Sequence, residues 1–301
     1  MTQHRNLPSW RSLLYVPANN ERFVAKAGDR GADAVVLDLE DGVPPDEKAE
    51  ARRMCREAID RLAAAARCDV VVRVNAPLRL AVRDLEAVVR PGVRAIFVPK
   101  VETAGGLKAI AEIVSELEAE AGMEVGATGL VPMLETPGSL FEARAIAGAS
   151  PRNVAMVLGS EDLATEAGFE PSAETLLHPK LQVAFAAKAE GLLALGLLDS
   201  VAAISEPEKT REVARRSARF GFDGATCVHP GIVPVLNEAF SPSEEQLDLA
   251  RRTVEAMEAA WAEGRGAARL DGRMIDMPML TRARALLRKA GRPPGRSDAP
   301  T

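Results

Sequence analysis

The sequence lacks the features that mark secreted and membrane-spanning proteins. It has only three cysteines among 301 residues, Cys55, Cys68 and Cys227, and no two of them form a Cys-x-x-Cys pair. An odd number without that spacing is typical of a reducing compartment rather than of a secreted disulfide scaffold. The first ten residues hold no apolar segment of a secretory signal, and no run of about 18 apolar residues occurs. We therefore expect a cytoplasmic protein without a membrane partner.

An excess of charge of one sign is also missing. Lys and Arg number 38 against 43 Asp and Glu, which gives a formal net charge of −5. Nucleic-acid-binding proteins usually carry a basic face, so this balance argues against a nucleic-acid partner. No glycine-rich phosphate loop of the Walker or dinucleotide type is present. Hydrophobic residues make up 47% of the chain, enough to exclude global disorder.

What the sequence does contain is a regular alternation of short apolar runs and longer amphipathic stretches. The runs are almost continuously apolar, as in parallel strands that are covered on both faces. Eight such units over residues 12–263 predict a (β/α)8 barrel of the α/β class, and a doubly wound open sheet is the alternative. The predicted strands are Ser12–Val16, Ala34–Leu39, Val70–Val74, Ala95–Val98, Gly129–Leu134, Val154–Leu158, Ser200–Ala203 and Gly224–Val228.

The chain after the eighth unit differs in character. We expect a catalytic barrel over residues 10–263, a separate C-terminal segment over 264–290 and a frayed tail over 291–301. Gly264–Gly266 is predicted to be a flexible connection between the barrel and the C-terminal segment.

Acidic residues concentrate where the predicted strands end, which is where barrel enzymes place their active sites. Like charges gathered at one mouth are unfavourable unless a cation is present. Carboxylates without a His or Cys set favour Mg²⁺ or Mn²⁺ over zinc. For Asp38 and Glu161, capping of the following helices is an equally good interpretation. The residues concerned are Asp38, Glu40, Asp41, Glu135, Glu161 and Asp162.

Taken together, the motifs resemble the citrate lyase β-subunit-like family of the HpcH/HpaI aldolase superfamily, which includes malyl-CoA and citramalyl-CoA lyases. The resemblance runs over residues 10–287, and its one departure is Ala225, where relatives often carry a basic residue. The motifs, in chain order, are Arg11–Ala18, Asp33–Val43, Arg73-Val74-Asn75, Val98-Pro99-Lys100-Val101-Glu102, Glu135-Thr136-Pro137-Gly138, Gly159–Leu163 and His229-Pro230.

This resemblance implies a TIM barrel in which Glu135 and Asp162 hold Mg²⁺, with Mn²⁺ as a substitute. It implies that Arg73 and Glu135 contact the substrate, and Glu40 and Asp41 would hold metal-bound waters. The metal would act as Lewis acid and template for cleavage of a C–C bond in a 3-hydroxyacyl-CoA. A structural ion pair with one of the mouth acids is the alternative for Arg73.

The resemblance further implies a coenzyme A site and a lid. Tyr15 would stack on adenine, and Lys26 and Arg22 would meet phosphates, although such cations can also be solvated helix charges. The segment Gly272–Pro278 resembles the C-terminal lid of free-standing CoA lyases, whose acid reaches the neighbouring subunit, so 264–290 becomes a lid extension and Asp276 a catalytic acid. Capping of a short terminal helix is the alternative for Asp276.

We therefore expect a Mg²⁺-dependent lyase that cleaves malyl-CoA or citramalyl-CoA to acetyl-CoA and a 2-keto acid, glyoxylate or pyruvate. The family implies a homo-oligomer, a trimer or hexamer, with the lid exchanged between subunits. Three alternatives stay open: the β subunit of a carrier-dependent citrate lyase, a malyl-CoA thioesterase or synthase on the same scaffold, and a non-catalytic CoA-binding paralogue.

Overall fold

The computed structural model describes residues 7–199 and 206–291, and a parallel eight-stranded sheet forms its centre. Apolar residues fill most of these strands, valine most often and leucine next, and nearly every position in them is buried. Buried β-branched side chains favour the extended, two-face-covered conformation of a parallel sheet. The strands are β1 (Ser12–Pro17), β2 (Ala34–Asp38), β3 (Asp69–Arg73), β4 (Val93–Val98), β5 (Gly129–Leu134), β6 (Ala155–Leu158), β7 (Leu193–Leu195) and β8 (Ala225–Cys227).

The sheet curls until its ends meet. Its strand order is β7-β6-β5-β4-β3-β2-β1-β8, so β1 pairs with both β2 and β8. A parallel bridge between Leu195 and Gly224 joins the end of β7 to the residue before β8. The predicted barrel is therefore confirmed, and the open doubly wound sheet is excluded.

Helices surround this barrel and cover its outer face. An outer apolar layer, including Val35, Leu37, Ile59 and Leu85, lies between strands and helices. The helices up to residue 240 are α1 (Glu21–Ala27), α2 (Lys48–Ala65), α3 (Leu78–Val88), α4 (Ala104–Glu120), α5 (Pro137–Phe141), α6 (Ala143–Ala147), α7 (Ser160–Ala167), α8 (Leu177–Ala189), α9 (Pro207–Arg219) and α10 (Val233–Ala239).

The barrel interior is packed rather than hollow at its N-terminal end. Alternate strand residues point inward, and the inner layer includes Leu13, Val36, Val71 and Phe97. Trp10 lies below this layer, 1% exposed, with its indole N–H donating to Asp69 over 2.8 Å. A closed lower end leaves the opposite mouth as the place for a ligand.

The seventh βα unit differs from the prediction. The seventh strand was predicted at Ser200–Ala203, but α8 ends at Ala189 and β7 follows at Leu193. Gly191 adopts φ +69°, and the Leu192 N–H returns to the Ala187 carbonyl, which ends the helix. A strand of three residues is too short to show a period. The strand predicted at Ser200–Ala203 lies outside the described residues.

The chain divides into two compact units, the first extending to Phe240 and the second beginning at Ser241. The second unit contains α11 (Glu244–Ala262), a hairpin of β9 (Ala268–Leu270) and β10 (Arg273–Ile275), and α12 (Met277–Ala290). Its own small core joins α11 to the hairpin and α12 through Met257, Ala260, Ala268, Ile275 and Leu280. The unit boundary at 240/241 differs from the predicted 263/264 boundary, because α11 packs with the C-terminal segment.

Two further observations concern the expected location of the protein. In the described part of the chain, no helix has both the length and the apolar character to cross a bilayer. Cys55, Cys68 and Cys227 are buried free thiols. The cytoplasmic location stays a prediction.

Candidate active site

A cavity of about 820 Å³ opens at the carboxyl ends of the barrel strands. That volume is in the range of small-molecule and cofactor sites. Glu40 is buried beside the cavity rather than on its wall. The other sequence-predicted residues of the barrel all line it: Tyr15, Arg22, Lys26, Asp41, Arg73, Glu135 and Asp162.

Arg73 is held by Asp38 through the register of two neighbouring strands. Asp38 ends β2 and Arg73 ends β3, and the two residues are direct partners in the ladder. Arg73 Nε donates to Asp38 Oδ1 over 2.7 Å and Nη2 donates to Oδ2 over 2.8 Å. Asp38 also accepts the backbone N–H groups of Glu40 and Gly42. The ion pair considered for Arg73 is thus present, and Asp38 orders the loop that carries the other acids.

Glu40 is a buried carboxylate with an unsatisfied oxygen. Its Oε2 lies 2.9 Å from Arg73 Nη1, but the geometry gives that oxygen no hydrogen bond. Burial raises the pKa of Glu40 to about 8, and the opposing effect of Arg73 is smaller. Asp41 is exposed and reaches the same Arg73 Nη1 at 3.2 Å. The loop after β2 therefore brings two acids to one guanidinium.

Tyr15 lies inside the barrel below Arg73. The Arg73 guanidinium carbon is 5.0 Å from the centre of the Tyr15 ring, a cation–π distance. Phe97 meets the same ring edge-on at 6.2 Å. Burial raises the pKa of the Tyr15 hydroxyl, which keeps it protonated. Tyr15 thus supports the floor of the cavity beside Arg73, and its predicted contact with adenine stays a prediction.

Glu135 follows β5 and is 3% exposed. Its Oε2 accepts the backbone N–H of Lys100 over 2.7 Å. Gly159 lies beside it after β6, and a β-carbon at Gly159 would come within 2.2 Å of Glu135 Oε1. Burial raises the pKa of Glu135 to about 7; the Lys100 N–H opposes this and the Asp162 carboxylate adds to it. The absence of a side chain at position 159 is what leaves room for the carboxylate.

Asp162 lies in the first turn of α7 and binds a residue that the sequence analysis left without a role. Lys100 Nζ donates to Asp162 Oδ1 over 2.8 Å. Lys100 therefore touches both predicted metal ligands. Its position just after the end of β4, in the Val98–Glu102 motif, was the sequence feature that could have indicated a role at the barrel mouth.

The loop that carries Glu40 rests on a network that sequence reasoning also missed. Lys48 Nζ donates to the carbonyl oxygens of Leu39 and Glu40, each over 2.7 Å. Asn75 donates to the same Leu39 carbonyl and to the fully buried Asp84. These contacts join residues eight to 36 positions apart, farther than the three- or four-residue spacing of a helix, so no helical or strand period indicates them.

The outer part of the cavity is basic. Arg22 and Lys26 lie on the exposed side of α1, and Arg30 follows shortly after. Within the ranges that the structure describes, none of the three forms an ion pair with an acid. His229 also lines the cavity and accepts the Gly231 N–H at Nδ1. Three cations without acidic partners can meet an anionic ligand.

The residues present fit a bound Mg²⁺. Among the described residues, no three His, Cys, Asp or Glu side chains are grouped to hold an ion. Glu135 and Asp162 are the two carboxylates that would hold one here. The donor set is oxygen only, the unsatisfied Glu40 oxygen can accept from a metal-bound water, and Gly159 leaves the space around Glu135 open. Mg²⁺ usually keeps several waters, which agrees with two protein ligands.

Asp276 lies in the C-terminal unit and caps α12. Its Oδ1 accepts the Met279 N–H over 3.2 Å. The flanking Met274 and Met277 are 72% and 51% exposed. The capping role is present in the structure, and the catalytic role stays a prediction.

Comparisons with known proteins test the resemblance drawn from the motifs. Residues 11–230 match the family model described as HpcH/HpaI aldolase/citrate lyase. The β subunit of citrate lyase from Escherichia coli (strain K12) is 36% identical over 291 residues, which cover 96% of this chain and 95% of that protein. A (3S)-malyl-CoA thioesterase from Cereibacter sphaeroides (strain KD131) is 35% identical over 285 residues, covering 93% of this chain and 94% of that protein.

A solved structure is similar over almost the whole chain. It is CitE from Mycobacterium tuberculosis in complex with magnesium, acetoacetate and coenzyme A, 32% identical, with a TM-score of 0.75. The match covers 96% of this chain and 100% of that one. The resemblance inferred from the motifs is confirmed.

Proposed function

This chain belongs to the HpcH/HpaI aldolase/citrate lyase family of carbon–carbon lyases, and from that premise we propose that it is a Mg²⁺-dependent lyase for a 3-hydroxyacyl-CoA of the malyl-CoA or citramalyl-CoA type. The products would be acetyl-CoA and glyoxylate or pyruvate. One observation carries the proposal: a single cavity joins an acidic inner end with Arg73 to a basic outer end on α1. An acyl-CoA has the matching polarity, with its reacting acyl group at one end and its phosphates at the other.

The inner end suits the reacting group. Arg73 presents a planar set of donors, which can bind a carboxylate or a developing oxyanion in two places. A Mg²⁺ ion held by Glu135 and Asp162 would supply Lewis-acid polarisation of the substrate oxygens. Glu40 and Asp41 would fix the waters around it. Tyr15 and the 38–42 loop hold Arg73 in place before substrate arrives.

The reaction needs no oxidant or reductant. The bond between carbons 2 and 3 breaks, and its electron pair passes into the thioester enolate. The 3-hydroxyl releases its proton to water as the keto acid forms, and the enolate carbon gains a proton to become the methyl group of acetyl-CoA, so the reaction is proton-neutral. We assign this second proton to Asp276 of a neighbouring subunit in a trimer or hexamer. The exposed methionines around Asp276 would cover the acyl group when the segment closes.

The outer end suits the CoA portion. Arg22 and Lys26 would meet phosphates, and the neighbouring Phe23, 54% exposed on the same helix, offers an apolar contact. These cations favour free CoA esters as substrates. A carrier-dependent citrate lyase subunit and a malyl-CoA thioesterase remain the competing functions, since relatives of both kinds are about equally similar.

One assay separates these functions. Metal-free enzyme is incubated with malyl-CoA, citramalyl-CoA or citryl-CoA with and without Mg²⁺, and the keto acid and the free thiol are measured separately. We expect Mg²⁺-dependent release of glyoxylate or pyruvate without free thiol. Free CoA with malate would indicate the thioesterase, and oxaloacetate from citryl-CoA the citrate lyase reaction.

Variants locate the reaction in the cavity. Glu135→Ala and Asp162→Ala should each abolish turnover, whereas Glu166→Ala, at an exposed position of the same helix as Asp162, should not. Full activity of the wild-type enzyme after exhaustive EDTA treatment would contradict the proposed metal requirement.

A further inference from the structure

Lys100 has an unusual backbone conformation at the edge of the candidate active site. It follows β4 and adopts φ +49°, a left-handed value that only two other non-glycine residues share among those described. A residue with a β-carbon persists in this region only where its surroundings hold it there. The contacts of Lys100 must therefore hold it in this conformation.

The backbone and the side chain of Lys100 bind different acids. Its N–H donates to Glu135 Oε2 over 2.7 Å, and its ammonium donates to Asp162 Oδ1 over 2.8 Å. The next residues fasten the segment to β5: the Val101 N–H donates to the Met133 carbonyl. The lysine is thereby fixed between two carboxylates from different βα units, Glu135 after β5 and Asp162 in the first turn of α7.

The two contacts differ in how easily they can be broken. The N–H contact reaches the buried Glu135 and does not depend on the side chain at position 100. The ion pair is half-exposed, with the Lys100 side chain 45% and the Asp162 side chain 40% accessible. Lys100 is not part of the cavity wall. Its ammonium can therefore leave Asp162 for solvent without disturbing the backbone.

We propose that the Lys100 ammonium is a built-in counter-cation of the Glu135–Asp162 pair, which neutralises Asp162 when no metal is bound and is displaced from it when a divalent cation binds. The inference rests on the proposed metal site and adds to it a competitor within the chain. The exchange keeps the negative charge of Glu135 and Asp162 partly neutralised with and without metal, because the Lys100 ammonium supplies positive charge when the ion is absent.

The exchange predicts a direction for metal affinity. An ammonium beside Asp162 must be moved away before the carboxylate can bind the ion, and it repels the ion electrostatically. A neutral side chain at position 100 removes both costs. Exposed ion pairs are weak, so the expected change is about two- to five-fold tighter binding.

The test is a titration of metal-free protein with Mn²⁺ at low ionic strength, with free Mn²⁺ measured by electron paramagnetic resonance. Lys100→Met and Lys100→Gln keep the backbone N–H and remove the charge, and both should lower the Kd. Lys100→Arg should stay near the wild-type value. Lys188→Met is the matched control, because Lys188 pairs with Asp223 before β8, at the opposite end of the barrel. Near-ultraviolet circular dichroism verifies that each variant is folded.

The outcomes separate this inference from the proposed function. If the wild-type protein binds no Mn²⁺, the metal site and the proposed function both fail. If it binds Mn²⁺ but both neutral variants bind equally well or more weakly, only the counter-cation role is overturned. Tighter binding by both neutral variants, with Lys188→Met unchanged, supports it.

Discussion

Arg73 meets three carboxylates at once, those of Asp38, Glu40 and Asp41. Its guanidinium spans them because its donors are spread over a plane, and the Tyr15 ring supports that plane. At the residue scale, the proposed anion-binding group is thus positioned by the acids that surround it.

Arg73→Lys tests whether this geometry matters beyond its charge. Lysine cannot donate two parallel hydrogen bonds to Asp38, so we expect kcat/KM for the cleaved CoA ester to fall by about 10²-fold or more while the circular dichroism spectrum is unchanged. Arg56→Lys, at an exposed position of α2 outside the cavity wall, is the control and should change kcat/KM little. A near-normal kcat/KM for Arg73→Lys would show that only the positive charge at position 73 matters, and not the planar set of donors.

Glu40 predicts how stability depends on pH in the metal-free protein. Its folded pKa of about 8 lies above the usual value of 4.5, so the folded state binds more protons than the unfolded state between these values. The free energy of unfolding should therefore decrease as the pH rises from about 5 to 8. Glu40→Gln removes this titration and should flatten the slope, as measured by urea unfolding at pH 5, 6.5 and 8. An identical slope in both proteins would show that the pKa of Glu40 is not raised in the folded state.

At the scale of elements, the junction between β6 and α7 sets the space for Glu135. β5 and β6 pair at Leu134 and Leu158, so the residues that follow them lie side by side. Glycine at position 159 is required there, because any β-carbon would meet the carboxylate. The helix then begins at once and presents Asp162 in its first turn.

Gly159→Ala should displace Glu135 and weaken the binding of a divalent ion. We expect Mn²⁺ affinity and turnover to fall together by at least ten-fold, since the clash involves a buried proposed ligand. Gly105→Ala is the matched control: its β-carbon would approach Thr103 Oγ1 no closer than 3.9 Å. Unchanged Mn²⁺ affinity in Gly159→Ala would show that Glu135 is not held by this junction.

At the scale of the whole molecule, the proposed chemistry is divided between two compact units. The barrel unit carries the acids and Arg73, and the C-terminal unit carries Asp276. An acid that caps its own helix can still act on a bound substrate of another subunit, because one of its oxygens accepts the Met279 N–H and the second remains for proton transfer.

Complementation tests the action of Asp276 between subunits. Asp276→Ala and Glu135→Ala are each expected to be inactive, and mixing them under conditions of subunit exchange should restore part of the turnover. Mixed oligomers would contain sites with an intact metal centre and a neighbour's Asp276. Absence of recovery, with subunit mixing verified by native mass spectrometry, would place Asp276 in its own subunit's site or outside the mechanism.

The sequence by itself determined the family, the barrel and the set of residues around the cavity. Motif order carried this information, because the polar residues directly follow apolar runs, and the ends of parallel barrel strands meet at one mouth. Arg73, Glu135 and Asp162 could thus be placed together without knowing any distance.

Only the tertiary structure showed which side chains are paired in the site, because such pairs depend on strand register and on contacts between distant segments. Asp38 became the main partner of Arg73 because β2 and β3 pair in one particular register. Lys100 became a link between two acids because β4 passes beside β5 and its end turns with a positive φ. The seventh strand was misplaced because three residues show no period. These features arise from contacts between segments far apart in the chain, which a local pattern does not encode.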